Sequence, residues 1–198
     1  MSNLISFNPQ LTTSPLNTFQ VETEGYVQGS YFDDPSTRQW LLAGQLASTV
    51  AQPIWGGMTI SEMVNAPNTN AGGNTLELAA AYASLTGFTV SNQANNMVIV
   101  PGNSAQIAVA GMSMNYFRLG SNARIQVLCD STLAAALDAG LTNQQVSWDF
   151  TNQKLIAFST TALPVKVLSV NTNSKVISYN SGTGAVSWVA GTCAVIQI

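Results

Sequence analysis

The sequence predicts a mainly β protein, a β-barrel or sandwich with short helical inserts and an extended N-terminal arm. Three observations lead to this fold class. From about residue 39 onward, apolar and polar residues alternate in short runs separated by turn residues, which is typical of strands. The only segment with a clearly helical composition is DSTLAAALDAGL (130–141). Residues 1–20 contain Pro9 and Pro15 and show no apolar periodicity.

The first 20 residues form the predicted arm. They carry too many larger apolar side chains for a tail that stays in water, so we expect the arm to order against a partner. These side chains belong to Leu4, Ile5, Phe7, Leu11, Leu16 and Phe19. A chain of 198 residues is long enough for one good core. We therefore expect a main domain over residues 21–160 and a C-terminal β-hairpin region over residues 161–198 that packs on it.

The stretch VSWDF (146–150) predicts the first strand of a hairpin. Val146, Trp148 and Phe150 fall on one face and Asp149 on the other, because side chains alternate along a strand. TNQ then turns the chain, and KLIAF (154–158) returns it. We therefore expect Asp149 on the solvated face of the hairpin and not in an apolar pocket as a catalytic acid.

Further elements follow from the same patterns. KVISY and AVSWV flank the glycine-bearing loop NSGTG and predict a second hairpin, while RIQVL, AQIAVAGM and TCAVIQI predict strands. Asp130 or Ser131 is expected to cap the one helix and Gly140 to end it. Residues 38–50, which Asp34 and Pro35 could open as a helix, and residues 75–85 are compatible with either helix or strand.

The composition favours assembly over free diffusion. Charged residues make up 8% of the chain, against roughly 25% in an ordinary soluble domain. Asn, Gln, Ser and Thr supply 70 of the 198 residues, a surface that can lie against another protein at a small desolvation cost. Residues 1–99 have one basic and six acidic residues, a net of −5, and residues 100–198 have five and three, a net of +2. With only Arg118 and Arg124 near each other, we expect no nucleic-acid binding.

The chain contains no histidine. Nucleophile activation of the Ser-His-Asp or Cys-His kind is therefore excluded, and zinc would lack ligands. The acidic pairs Glu22 with Glu24 and Asp33 with Asp34 lie in polar or turn-forming surroundings that do not raise a carboxyl pKa. Neither a calcium-loop spacing nor a glycine-rich phosphate loop is present. We expect no enzymatic activity, no metal site and no cofactor.

The two cysteines and one tryptophan motif have structural interpretations. Cys129 and Cys193 lie in strand-like apolar contexts, so we expect reduced, buried thiols and no disulfide. In PIWGGM (53–58) the paired glycines favour a bend in a barrel strand with the Trp55 indole in the core, in preference to a carbohydrate-stacking platform.

Signals for export or membrane insertion are not recognisable. The first basic residue is Arg38, so no charged region precedes an apolar segment, and no apolar run approaches 18 residues. We expect a chain that is made and kept in a cytoplasm and does not enter a membrane.

Five stretches carry a family resemblance: ETEGYVQG, DDPSTRQWLLAG, QPIWGG, YFRLGSNARI and NQQVSWDFTNQKL. As a set they resemble the structural cement, or decoration, proteins encoded in the head gene clusters of tailed bacteriophages. The resemblance covers residues 17–155. It implies a β-barrel-type virion protein on the outer surface of the capsid that bridges neighbouring major capsid proteins, with no cofactor and no enzymatic activity.

The expected partners are therefore the major capsid protein and further copies of the chain, as a dimer or a trimer on the capsid. The apolar arm and the acidic first half predict the partner-contact residues Leu4, Phe7, Leu11, Leu16, Phe19, Tyr26, Tyr31, Phe32 and Arg38. Two alternatives remain open. A carbohydrate-binding adhesin or tail-associated structural protein would expose Trp55, Trp148 or Trp188, and a polysaccharide hydrolase would pair carboxylates among Asp33, Asp34 and Asp149.

Overall fold

The expected mainly β fold is confirmed by the computed structural model, which describes residues 26–32, 35–65, 73–91, 105–138 and 145–198. Its centre is a closed five-stranded barrel. The barrel strands are β1 (Leu42–Leu46), β2 (Thr59–Met63), β3 (Asn74–Leu78), β4 (Gly87–Val90) and β5 (Ser113–Arg118). The other strands are β6 (Arg124–Leu128), β7 (Val146–Asp149), β8 (Lys154–Ala157), β9 (Lys166–Asn180) and β10 (Ala185–Gln197). The helices are α1 (Pro35–Arg38), α2 (Ser131–Asp138) and a 3₁₀ turn at Tyr82–Ser84.

The barrel closes in the order β1, β3, β2, β4, β5. The β1 and β3 strands are parallel, and the other neighbouring pairs are antiparallel. Alternate side chains point inward and fill the interior, as expected for a small barrel. The residues of this barrel core include Leu46, Ile54, Trp55, Met58, Ile60, Leu76, Met114, Tyr116 and, from the β9–β10 hairpin, Ile177.

A second core lies between the outside of the barrel and a three-stranded sheet of order β6, β10, β9. Phe88 and Phe117 from β4 and β5 face this core, together with Ile125, Val167 and Ile196 from the sheet. The Trp148 ring meets Phe88 edge-to-face, with 5.2 Å between the ring centroids. Residues before and after position 160 thus share one core, while the predicted division of the chain at that position stays a prediction.

The predicted VSWDF hairpin is confirmed as β7 and β8, with Trp148 opposite Leu155 and Asp149 opposite Lys154. Gln153 closes its turn with a positive φ of 51°. The buried Gln153 side chain accepts hydrogen bonds from the backbone N–H and the hydroxyl of Thr59, at 2.9 and 2.8 Å. One amide side chain therefore fixes this hairpin to the start of β2.

The hairpin with the NSGTG loop is also confirmed, as β9 and β10, and TCAVIQI continues β10 to its end. The helix α2 begins after Asp130, whose Oδ1 accepts hydrogen bonds from the backbone N–H and the hydroxyl of Thr132. Gly140, its predicted end, lies outside the described residues. The prediction of a strand over AQIAVAGM (105–112) was wrong, since only an isolated bridge between Ala108 and Ile54 forms there.

The segments that were compatible with helix or strand contain strands. Residues 38–50 hold β1, with α1 ending at Arg38, and residues 75–85 hold most of β3 and a 3₁₀ turn. Gly44 helps to explain why residues 38–50 hold a strand. A Cβ built on it would lie 2.8 Å from the Leu76 side chain and 2.9 Å from the Asn74 carbonyl. The close approach of β1 to β3 therefore requires a glycine here.

A short segment at the start of the described chain joins the barrel to the sheet. We call residues 26–32 the clamp segment. Its Gln28 N–H bonds to the Lys175 carbonyl of β9 at 2.9 Å, and its Gly29 N–H bonds to the Gln126 carbonyl of β6 at 2.8 Å. The Gly29 carbonyl accepts the Ser91 N–H at the end of β4, at 2.8 Å. One residue therefore bonds to both parts of the fold.

Gly29 also lies directly against Gly56 of the PIWGGM motif. A Cβ built on Gly29 would come within 2.5 Å of the Gly56 Cα, and one built on Gly56 within 2.6 Å of the Gly29 Cα. Gly29 has a φ of +84°, which favours glycine as well. The predicted burial of Trp55 in the core is confirmed. The predicted bend of a barrel strand was wrong, because Gly56 and Gly57 lie in a turn just before β2, where Gly56 permits backbone contact with the clamp segment.

Gly56→Ala is expected to destabilise the protein by about 3 kcal/mol, because the new methyl group meets backbone that cannot move aside alone. Gly182→Ala in the β9–β10 turn is the matched control. Its Cβ meets only the end of the Asn180 side chain, at 3.3 Å, and its effect should stay below about 0.5 kcal/mol. Urea unfolding of both variants measures the difference, and equal stabilities would contradict the tight glycine contact.

Candidate interaction surface

A groove lies where α1 meets the ends of β6, β9 and β10. It is lined by Ser36, Thr37 and Trp40, by Ser121, Asn122 and Arg124, and by Leu168 and Gln197. Its volume is about 460 Å³, and a second hollow of about 480 Å³ adjoins it through Asn122 and Gln197. We call the first hollow the Trp40 groove.

Large apolar side chains are exposed at this groove. Trp40 is 60% exposed, Leu168 37% and the neighbouring Phe32 40%. The Trp40 N–H bonds to the Thr37 carbonyl at 2.9 Å, so the turn after α1 holds the indole at the rim. Exposed tryptophan together with further apolar side chains is typical of protein contact sites.

Arg124 gives the groove a cationic wall. Its guanidinium carbon lies 5.4 Å from the centroid of the Phe32 ring, within the range of a cation–π contact. The Phe32 N–H bonds to the Arg124 carbonyl at 2.9 Å, so backbone and side chain hold the pair together. The groove thus combines an aromatic rim, amide and hydroxyl groups, and an arginine.

The predicted partner-contact residues have different positions. Leu4, Phe7, Leu11, Leu16 and Phe19 lie outside the described residues. The Tyr26 hydroxyl is 2.8 Å from the Ser169 hydroxyl, and the Tyr31 ring meets Phe117 at 5.3 Å, so both tyrosines contribute to the fold itself. Phe32 and Arg38 are exposed beside the groove, Arg38 in the helix that supplies Ser36 and Thr37.

Trp40 and Leu168 were not among the predicted contact residues. The exposure of Trp40 could not be predicted, because residues 38–50 were compatible with a helix that would have buried part of the Trp40 surface. The available signal was a tryptophan between Pro35 and the first barrel strand, where the chain must turn. Leu168 is exposed near an irregularity in the β9–β10 register, and no sequence pattern indicates that irregularity.

A polar cluster lies at one end of the barrel, around Glu62. Its side chain is only 4% exposed. Arg118 donates two hydrogen bonds to the two carboxylate oxygens, at 2.6 and 2.7 Å. The Tyr116 hydroxyl and the Asn74 amide also donate to Glu62 Oε1. A buried carboxylate with this many donors is a charge kept stable by its partners.

The direction of the Glu62 pKa shift indicates a structural role for this cluster. The hydrogen bonds from Arg118 lower the pKa of Glu62, whereas burial alone would raise that pKa. The hydrogen bonds from Tyr116 and Asn74 lower it further. The same pairing raises the pKa of Arg118, and burial raises the pKa of Tyr116. A general acid would need a raised carboxyl pKa. Glu62 instead stays ionised at neutral pH.

Asp149 is half-buried and closes its turn. Its carboxylate accepts hydrogen bonds from the Thr151 and Asn152 N–H groups, at 2.9 and 3.0 Å, and from the Asn152 amide at 2.6 Å. Burial opposes ionisation, but these hydrogen bonds outweigh it and lower the pKa of Asp149. The expectation that Asp149 lies on the solvated face was therefore only partly right, because the residue is half-buried and closes the turn. Its lowered pKa does not suit a catalytic acid.

The cysteines are free and buried, as expected. Burial raises the pKa of each thiol to about 12, so neither forms a thiolate nucleophile at neutral pH. Trp55 and Trp148 are also buried and offer no stacking surface, while Trp188 is half-buried against the barrel core. Asp33 and Asp34 lie outside the described residues.

Within the described ranges, no three His, Cys, Asp or Glu side chains come together as a metal site. No helix in the same part of the chain is both long and apolar enough to cross a bilayer. A comparison with protein-family models, curated sequences and solved structures finds no match to the chain.

Acid is expected to weaken the fold through Glu62. Because the folded-state pKa lies below the ordinary value of 4.5, the stabilisation is complete above that pH and is lost as the pH falls through the folded-state pKa. Free energies of unfolding measured from about pH 6 down to about pH 3 should fall for the native protein. The fall should be smaller for Glu62→Gln. The remainder would come from Asp149 and from Asp130, whose pKa is lowered by hydrogen bonds from Lys154 and Thr132. Identical slopes for both proteins would contradict the role of Glu62.

Proposed function

We propose that the protein is a structural virion component that binds the outer surface of a tailed-phage capsid and bridges neighbouring major capsid proteins. In this role it would hold the shell together against the pressure of packaged DNA. Many weak contacts between the same pairs of subunits resist rupture, since separating the subunits requires breaking them together. The protein would act by binding and without chemistry.

One observation carries the proposal. The stretches that resemble cement proteins meet in space. DDPSTRQWLLAG and YFRLGSNARI supply six of the residues that line the Trp40 groove, namely Ser36, Thr37, Trp40, Ser121, Asn122 and Arg124. ETEGYVQG and QPIWGG meet at Gly29 and Gly56, where they set the relative position of barrel and sheet. The resembling residues therefore form one exposed site and the contact that supports it.

The character of the groove also supports a protein partner. Exposed Trp40 and Phe32 supply apolar area, and serine, threonine, asparagine and glutamine side chains can make hydrogen bonds at a polar rim. Tryptophan and arginine are the residues that most often dominate binding energy at such sites. The groove contains both.

The proposed arm would supply a second contact. The described chain begins at Tyr26, whose carbonyl accepts the Lys175 N–H of β9 at 2.8 Å. Tyr26 therefore holds the start of the described chain on the sheet. A folded body with a groove and an attached apolar arm can contact two neighbouring capsid subunits, which is what bridging requires.

A carbohydrate-binding adhesin is the second candidate, and Trp40 is the observation that favours it. An exposed indole beside hydroxyl and amide groups can stack on a sugar ring. Binding to glycan arrays that Trp40→Ala abolishes, with no binding to capsids, would favour this candidate over the capsid role.

Trp40→Ala is expected to weaken binding to expanded heads of the phage or prophage that encodes the chain. Loss of a tryptophan hot spot costs about 2 kcal/mol or more, roughly a 30-fold loss of affinity. Met63→Ala is the matched control, because Met63 is 59% exposed and Trp40 60%, while Met63 lies on barrel strand β2. Co-sedimentation with heads measures both, and equal affinities would place the contact elsewhere.

Deletion of residues 1–20 should leave the barrel folded, because the clamp segment begins at residue 26 and keeps its hydrogen bonds. The truncated protein should nevertheless fail to decorate expanded heads, since the apolar side chains of the arm are gone. Circular dichroism checks the fold and co-sedimentation checks the binding. Full-length affinity in the truncated protein would show that the folded body makes the contact alone.

A further inference from the structure

The Trp40 groove spans the junction between the barrel and the three-stranded sheet. On the barrel side, Trp40 lies two residues before Leu42, where β1 begins. On the other side, Arg124, Leu168 and Gln197 come from the sheet strands β6, β9 and β10. The width of the groove therefore depends on how the barrel and the sheet lie against each other.

The clamp segment bonds to both outer strands of this sheet. Its residues 29–32 run beside β6, where the Phe32 N–H donates to the Arg124 carbonyl at 2.9 Å. Its first half lies beside β9, where Val27 and Lys175 form a parallel bridge. Since β6 and β9 are the outer strands in the order β6, β10, β9, one segment holds both edges. A displacement of the clamp segment therefore moves β6, and Arg124 with it.

The barrel holds the clamp segment at Gly29. The Gly29 carbonyl accepts the Ser91 N–H at the end of β4, at 2.8 Å. A Cβ built on Gly56 would lie 2.6 Å from the Gly29 Cα and 2.6 Å from the Ser91 hydroxyl oxygen. Carbon atoms in contact lie about 3.5–4.0 Å apart, so a methyl group on Gly56 would separate the clamp segment from the barrel by roughly 1 Å.

We propose that the contact between Gly29 and Gly56 sets the width of the Trp40 groove, so that both glycines are positioning residues for binding there. Neither glycine lines the groove. They act through the clamp segment, which transmits a change in spacing to Arg124. The effect on capsid binding rests on the proposed function, whereas the effect on the groove itself holds with or without a partner.

The coupling works in both directions, because linked binding free energies are reciprocal. A partner that contacts Trp40 on the barrel side and Leu168 on the sheet side holds the two parts at one spacing. It should bind most tightly when the clamp contact is intact, and it should stabilise that contact in return. The groove is therefore complete only when the barrel and the sheet are docked on each other.

Nuclear magnetic resonance of the full chain tests the effect on the groove without a partner. In Gly56→Ala the signals of the Trp40 indole N–H and the Arg124 amide should shift, because the spacing between the two groups changes. Gly44→Ala is the matched control. Its Cβ would also meet a neighbouring strand, at 2.8 Å from the Leu76 side chain, but this contact lies within the barrel. Both groove signals should keep their positions in Gly44→Ala.

A milder variant decides the case in which Gly56→Ala does not fold. The Ser91 side chain lies against both glycines, since a Cβ on Gly29 or Gly56 would meet its hydroxyl oxygen at 2.8 or 2.6 Å. Ser91→Val should therefore shift the same groove signals to a smaller extent. Circular dichroism verifies folding. Groove signals that stay in place in the folded clamp variants, or that move equally in Gly44→Ala, would overturn the proposal.

Co-sedimentation with expanded heads tests the effect on binding. Gly56→Ala should bind about ten-fold more weakly than the native protein, and Gly44→Ala should bind like the native protein. A native protein that binds no heads would contradict the proposed function, and the groove signals would then decide the role of the clamp contact alone. Full affinity of Gly56→Ala for heads, despite shifted groove signals, would overturn the positioning role in binding.

Discussion

The contact between Gly29 and Gly56 fixes how the barrel and the three-stranded sheet lie against each other. Two backbones approach so closely that a methyl group on either would fall within 2.6 Å of the other's Cα. Through this contact and its hydrogen bonds, the clamp segment connects the end of β4 with β6 and β9. The second core, which contains Phe88, Trp148 and Ile196, lies between the same two parts that the clamp segment connects.

Three buried or half-buried amide side chains extend this arrangement. Gln28 accepts the Ile177 N–H at 2.9 Å, Gln126 accepts the Val27 N–H at 2.8 Å, and Gln153 accepts the Thr59 N–H at 2.9 Å. Each glutamine satisfies a backbone donor that no strand partner reaches, which a buried N–H requires. Uncharged amides accept these hydrogen bonds without the desolvation cost of an ion. The small number of charged residues in the chain is therefore useful inside the fold as well as at its surface.

Much of the fold could be predicted from the sequence, because local patterns determine it. The VSWDF and AVSWV hairpins, the Asp130 cap and the free cysteines all follow from alternation, turn residues and burial. The strands β1 and β3 could not be assigned, since Leu- and Ala-rich runs suit both helix and strand, and the deciding contact of Gly44 with Leu76 is long-range. The Glu62–Arg118 pair was missed for the same reason, because barrel closure alone brings residues 56 positions apart into contact.

The candidate site was less predictable than the fold. Phe32 and Arg38 were selected for their place in the first half of the chain, whereas Trp40 and Leu168 line one groove only after α1, β6 and β9 have assembled. An exposed groove leaves no periodicity in the sequence, because its residues come from separate loops and strand ends. The two glycines of the clamp contact and the residues of the groove lie in stretches that are far apart along the chain, and no single motif joins them.

The claim that the clamp makes barrel and sheet one cooperative unit is tested most directly by native-state hydrogen exchange. The Thr89 N–H makes a hydrogen bond within the barrel, and the Cys129 N–H makes one within the sheet. The Gly29 N–H makes one between the clamp segment and the sheet. If the clamp couples the two parts, all three amides should exchange with the same opening free energy, within about 0.5 kcal/mol, and equal to that of global unfolding. A Cys129 amide that exchanges through a much cheaper opening than the Thr89 amide would show that the sheet separates from an intact barrel, and would contradict the central role of the Gly29–Gly56 contact.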